Sequence, residues 1–240
     1  MYERKIKSLV LLCAVIALCA VTSLALCSCK STSSEVTVAL QKKYSETFSV
    51  THMGDRYNTS STKLYVYPDS NSEIRFTAKI TDDGKVTDDY IQCIAAHILD
   101  EKIYEELNKN QIECVAKTVM MGSADENDVD TDFNISEYYE KYPDNKNLVY
   151  LVLNEDNVGE DTAQNLLNGI RNVSEYIDNQ VTVAVFVMDS SEFERCREEV
   201  KEVPELEIDS FDSKAESGFN YDGYTFNISE SELSEDLSCE

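Results

Sequence analysis

Apolar residues recur along this chain at two spacings, and the switch between them predicts most of its elements. Ile74, Phe76, Ala78 and Ile80 fall at every second position, the period of a strand with one buried face. Thr47–Met53 and Lys63–Tyr67 are two further strand candidates. From Tyr90 to about Asn108 the period lengthens, and Ile91, Ile94, Ile98, Leu99, Ile103 and Leu107 form one stripe of a helix. Asp88 and Asp89 stand where its first amides need acceptors. Ahead of the strands, Val36, Val38, Leu40 and Tyr44 suit a short helix or an extended lead-in. Asp83-Gly84 carries the chemistry of a hairpin turn or a helix entry.

The second half begins with a strand over Ile112–Met121 that runs into the acidic stretch 125–132. Such a charge run marks a boundary between halves. A short helix around Ser136–Lys141 stops before Pro143. Leu148–Leu153 and Val181–Met188 are continuous apolar runs, the pattern of strands buried on both faces. Between them Ala163, Leu166, Leu167, Ile170, Val173 and Ile177 share one side of a helix. Strand, helix and strand in so short a span predict a βαβ unit. Ser191 and Glu194 have capping-box spacing for a helix burying Phe193, Cys196, Val200 and Val203, closed by Pro204. Two aromatic runs around Asp222-Gly223 predict a hairpin, and fraying is expected beyond Ser229.

These elements add up to an α+β protein. A three-stranded antiparallel sheet with a packed helix occupies 36–122, and an acidic linker follows at 123–134. A βαβ-containing half spans 135–228, and an acidic tail fills 229–240.

The N-terminal residues obey another rule. Arg4, Lys5 and Lys7 lead into an uncharged apolar run, Leu9 to Leu26, the layout of a secretory signal. The run also reaches the lower limit for a membrane-spanning helix. Under either reading the basic end stays inside and the chain beyond Lys30 is exported. Leu26-Cys27-Ser28-Cys29 resembles a bacterial lipobox, with Leu three before the cysteine and a small residue directly ahead of it. The resemblance implies cleavage before Cys29 and a diacylglyceryl group on its sulfur, against the alternatives of an uncleaved helix or plain secretion. Cys27 departs from the pattern. Residues 29–35 then serve as a polar tether.

A second resemblance lies in Lys42-Lys43-Tyr44-Ser45-Glu46-Thr47-Phe48-Ser49-Val50, in Tyr65-Val66-Tyr67-Pro68-Asp69, in Phe76 and in the run Asp82–Tyr90. Over about 36–109 the chain is similar to small uncharacterised α+β modules of Gram-positive exported proteins and lipoproteins. That similarity implies export and a helix packed on a sheet. It implies no activity.

Charge narrows the partners. Asp and Glu number 46 against 21 Lys and Arg, a net charge of −25. Such a surface repels phosphate backbones, which excludes nucleic acid as the main partner. Solubility accounts for the charge, and attraction of cations or a basic partner is the functional alternative. At 42% apolar residues the chain has enough for a core. Of its cysteines, Cys13, Cys19 and Cys27 fall in the export segment and Cys29 would be lipidated. Cys93 and Cys196 lie on apolar helix faces as buried thiols; Cys114 and Cys239 complete the set. None stands in a CxxC or CxxH pair, which argues against a structural zinc site.

Motifs for chemistry are sparse. Asp128, Asp130 and Asp132 have the alternate spacing of a calcium loop. The sixth and twelfth positions, which an EF-hand fills with Gly and Glu, hold Phe133 and Tyr139. The expectation is a solvated acidic loop, with loose calcium binding the one cofactor considered. Ser60-Ser61-Thr62-Lys63 contains a Ser-x-x-Lys spacing but lacks the companion motifs of penicillin-binding enzymes. His52 and His97 show no partner in the sequence that would make either catalytic. No glycine-rich phosphate loop occurs. Asn58, Asn134, Asn172 and Asn227 open Asn-x-Ser/Thr triplets, which matter only in a eukaryotic secretory route. Fourteen tyrosines and no tryptophan could supply contact surface for carbohydrate or protein; for Tyr138, Tyr139 and Tyr142, core packing is the expectation. The reading is a non-enzymatic binding or interaction lipoprotein, held at the outer membrane face by lipid or helix. Its partner would be an envelope or surface protein, or a carbohydrate. An extracytoplasmic carboxylate-based hydrolase and a calcium-dependent adhesion or sensor module are the alternatives.

Overall fold

The computed structural model describes residues 32–54, 60–177 and 180–238. Cys29 with its lipobox-like surroundings, Asn58 and Cys239 lie outside them. Among the described residues no helix is long and apolar enough to cross a membrane.

The chain enters as helix α1 over 32–44, so the stretch expected to be a polar tether is helical from residue 32. Val36, Leu40 and Tyr44 recur at helical spacing and are all buried, which selects the helix over the extended alternative. Four strands follow: β1 (Phe48–Met53), β2 (Ser61–Pro68), β3 (Phe76–Thr81) and β4 (Val86–Asp88). They pair in that order, antiparallel throughout. The sheet is thus four-stranded where three strands were expected. Its extra strand is short and polar, and the sequence carries no alternation there. Asp83-Gly84 forms the hairpin turn that creates it, with Gly84 at φ 83°, a region glycine enters without strain.

Helix α2 (Tyr90–Lys109) leaves the first sheet and reaches the second. At its start the Tyr90 ring packs edge-on to Tyr44 and Phe48 and tilted against Phe76. Leu99, Ile103 and Leu107 are fully buried. The helix ends where the Ile112 amide reaches back to the Leu107 carbonyl and Gln111 adopts φ 62°, a left-handed helix termination.

The second sheet comprises β5 (Cys114–Met121), β6 (Lys146–Asn154), β7 (Val181–Met188) and β8 (Ala215–Tyr221). Strands β6 and β7 are parallel and joined through α4 (Thr162–Ser174), the predicted βαβ unit; the outer pairs are antiparallel. Strand β5 pairs with β6 along its full length, Cys114 opposite Leu153 through Met121 opposite Lys146. It therefore belongs to the second sheet and not to a module ending at residue 122. The boundary between sheets falls at the Asn110–Gln111 turn, and the acidic run merely connects β5 to helix α3 (Ile135–Lys141). Charge marked a loop; strand pairing decides the modules.

Helix α4 packs on α2, and α6 (Glu230–Asp236) packs on α4. The opposite face of the second sheet carries α5 (Ser190–Glu199) over a smaller core of Val115, Val152, Met188, Phe193, Cys196, Leu206 and Phe211. Two local expectations are corrected here. Asp189, one residue ahead of α5, accepts from the Ser191 and Glu192 amides, so the Ser191/Glu194 box does not form. The tail does not fray at Ser229, because that residue caps α6 with Glu232 while Leu233 and Leu237 are buried.

The contact between α2 and α4 is close. A Cβ on Gly169 would meet Leu107 Cδ2 at 2.6 Å, and Leu107 has no exposed surface into which to retreat. Gly169→Val should therefore cost about 1–3 kcal/mol through overpacking, measured by urea denaturation. Gly159→Ala, with open space around it, should stay within about 0.5 kcal/mol of the parent.

Candidate functional site

Where α2 passes the outer edge of β5, a cleft of about 800 Å³ opens, within the range of small-molecule sites. One wall is a stripe of α2: Cys93, Ala96, His97, Asp100, Glu101 and Tyr104. The facing wall is Cys114 to Thr118. Successive strand residues point to opposite faces, so a cleft lined by five in a row runs along the strand's edge. Among the described residues that edge has no strand neighbour, since β5 ends the sheet. Ser72–Arg75, leading into β3, and the chain from Arg197 to Pro204 at the end of α5 close the cleft.

Arg75 joins these outer walls. Its Nε donates to the Lys201 carbonyl at 2.7 Å, and its guanidinium lies over the Tyr67 ring at 4.3 Å. Only 9% of the side chain is exposed, and Nη1 is enclosed without a hydrogen-bond partner. A buried guanidinium so fixed spans the gap between the sheets from one side.

Asp100 is the electrostatic outlier of the cleft. Burial pushes its carboxyl from 3.8 up to about 7, against the pull of the Lys117 ammonium and of the Thr118 hydroxyl and amide. Its Oδ1 is enclosed and lacks a partner of good geometry, as does the Thr118 hydroxyl. Lys117 makes no ion pair among the described residues. Four of the chain's 21 Lys and Arg line this cleft with five acids, so the acidic field of the protein is nearly balanced here.

Two thiols share the lining, and neither is a nucleophile as it stands. Burial raises Cys93 well above the ordinary thiol range and lifts Cys114 to about 12, and a thiol must ionise to react. Cys196, on the buried face of α5, is likewise free and raised to about 12.

At the cleft's rim Glu73, His97 and Glu101 converge, with one ligating atom from each lying within 4.8 Å of the others. His97 Nε2 stands 3.6 Å from Glu101 Oε1 and 3.3 Å from the Asn71 side-chain amide. His97, which the sequence leaves without a partner, thus has three. The helical spacing of His97 and Glu101 is visible in the sequence. Glu73 and Asn71 come from a loop whose approach to α2 no local pattern encodes.

The residues singled out by motif do not assemble in this way. Asp128, Asp130 and Asp132 border a separate hollow of about 260 Å³ beside Tyr142. Asp128 pairs with Lys141 at 2.7 Å and accepts from the Tyr142 hydroxyl at 2.6 Å, contacts that outweigh burial and lower its carboxyl. Among the described residues these three carboxylates form no group at metal-ligand spacing. Lys63 lies within β2 and not in a polar loop. His52 sits in β1 with its ring against Tyr65. Asn134 caps α3, Asn172 donates to Glu106, and Asn227 accepts from the Asn220 amide. Tyr138 and Tyr139 are core residues whose hydroxyls accept from Asn145 and Asn147.

No family model matches the chain, and no curated protein does. Among solved structures it is similar to a DUF5037 family protein from Ruminococcus gnavus ATCC 29149, with TM-score 0.68 and 14% identity over 85% of this chain and 98% of that one. At that identity the likeness is one of fold.

The Asp100 carboxyl gives the cleft a pH signature. Its value is raised on folding, so between about pH 4 and 7 the folded chain holds a proton that the unfolded chain has released. Stability from this group is full below 3.8 and is lost as pH rises through about 7. Asp100→Asn should therefore gain about 2–4 kcal/mol relative to the parent on going from pH 4 to pH 8, read from urea denaturation across that range. A difference that does not vary with pH would mean the carboxyl titrates normally.

Proposed function

We propose that this protein is an outward-facing, membrane-anchored lipoprotein that binds a ligand in the cleft between α2 and β5, and that it is not an enzyme. The anchor rests on the basic residues, apolar run and lipobox-like ending of residues 1–29. The cleft carries the binding half: at about 800 Å³ it suits a small molecule or an extended segment of a larger partner. Its near-balanced charge favours a polar ligand over a strongly basic one. Lys117, which makes no ion pair among the described residues, and the edge of β5, which pairs with no further strand there, offer donors and acceptors to a ligand.

A carboxylate-based hydrolase is the second reading, favoured by Asp100. A carboxyl held near neutrality in a cleft is the profile of an acid–base group. Against it, the Oδ1 of that carboxyl is enclosed and turned away from any bound substrate. Burial alone accounts for the upward shift, against the pull of Lys117, without catalysis.

Native mass spectrometry of the full protein extracted from its own membrane tests both halves. The expected result is a chain beginning at lipidated Cys29 with a non-covalent adduct, the adduct disappearing in a folded Ala96→Trp variant that fills the cleft. A chain beginning at Met1 contradicts the lipid anchor. A bare protein, or an adduct that Ala96→Trp retains, contradicts binding in the cleft.

A further inference from the structure

We propose that Glu73, His97 and Glu101 form a binding site for a divalent transition ion of zinc-like preference at the rim of the cleft. This goes beyond the binding role of the cleft and stands whether or not the cleft takes an organic ligand.

The geometry is close to what such an ion needs. His97 and Glu101 are one turn apart on α2, so they project together, and Glu73 approaches from the loop ahead of β3. Zinc bonds of about 2.0–2.1 Å place tetrahedral ligand atoms about 3.4 Å apart. His97 Nε2 and Glu101 Oε1 are already 3.6 Å apart. The remaining contraction, from within 4.8 Å, requires only rotation of two glutamates that are exposed. The imidazole, with 18% of its side chain exposed, is the fixed member. Zinc would displace the long 3.3 Å contact from the Asn71 amide to His97.

Charge supplies an independent argument. Several carboxylates elsewhere in the protein are held in cation pairs: Asp128 with Lys141, Glu106 with Lys109, and Glu192 with Arg195. Among the described residues neither Glu73 nor Glu101 has a Lys or Arg ion pair, although the two converge on one imidazole. A cation is the missing element of that arrangement. The donor set selects which. Imidazole nitrogen with two carboxylate oxygens suits zinc and its neighbours, whereas calcium demands six or more oxygens.

Three protein ligands leave a fourth position for water or for a donor from a molecule in the cleft. The ion would also fasten the Asn71–Arg75 loop of the first sheet to α2. Sequence logic points away from zinc only because it looks for cysteine pairs.

Zinc titration of the full chain in detergent, by calorimetry, tests the proposal. One zinc should bind per chain, and Glu73→Gln with Glu101→Gln should weaken it by at least about 10–100-fold. Both glutamates are exposed, so that variant should fold. His97→Ala should lose the site, and Asp130→Ala should keep it. The cobalt-substituted protein should show no thiolate charge-transfer band, which separates this site from the chain's cysteines. Absence of zinc binding, binding unchanged by the paired glutamine substitutions, or a thiolate band with loss of the His97 dependence would overturn the proposal.

Discussion

Leu99, Ile103 and Leu107 of α2 have no exposed surface, because this one helix serves the cores of two sheets. Its first turn lies in the aromatic cluster of the first sheet, and its last turn meets Gly169 on the helix that covers the second. Among the described residues, neither four-stranded sheet has another long element joining it to its neighbour. The placement of β5, the cleft along its edge and the rim residues all depend on where α2 must lie.

The same placement explains how so acidic a chain holds together. Its surface carboxylates are neutralised pairwise or left to solvent, while the cleft collects cations from three separate elements. Arg75 reaches from the first sheet to the Lys201 carbonyl beyond α5, so the outer walls are tied by a buried guanidinium. Asp100 is the cost of this arrangement: α2 carries it into a space where its charge is poorly solvated. At the rim, by contrast, Glu73 and Glu101 remain near water and, among the described residues, lack a Lys or Arg partner. One helix therefore presents a buried, protonatable carboxyl and an open, cation-seeking cluster side by side.

Much of the architecture is legible in the sequence because it is encoded locally. Val181–Met188 and the α4 stripe announce a buried strand and its crossover helix without ambiguity. The alternation of β3 and the long stripe of α2 are equally plain. The hidden parts depend on pairing in space. Strand β4 is too short to show a period, and β5 reads as a strand without saying which sheet it joins. Leu233 and Leu237 look like isolated leucines in an acidic tail, yet four-residue spacing and the Ser229 cap are sufficient for a helix. The site is the least legible part. His97 and Glu101 are in view as a helical pair, but Glu73 and Arg75 reach the cleft only through tertiary folding. The acidic triplet Asp128, Asp130 and Asp132 draws attention by spacing alone, while Lys141 and Tyr142, which occupy Asp128, come later in the chain.

Everything else rests on α2 making the two sheets one cooperative unit. Native-state hydrogen exchange in increasing urea tests this most directly, by comparing amides of β2 with those of β7. If α2 couples the sheets, both sets converge on the same opening free energy and the same denaturant dependence, and Leu99→Ala lowers them together. Strand β2 losing protection well before β7, with Leu99→Ala affecting one sheet and sparing the other, would contradict it.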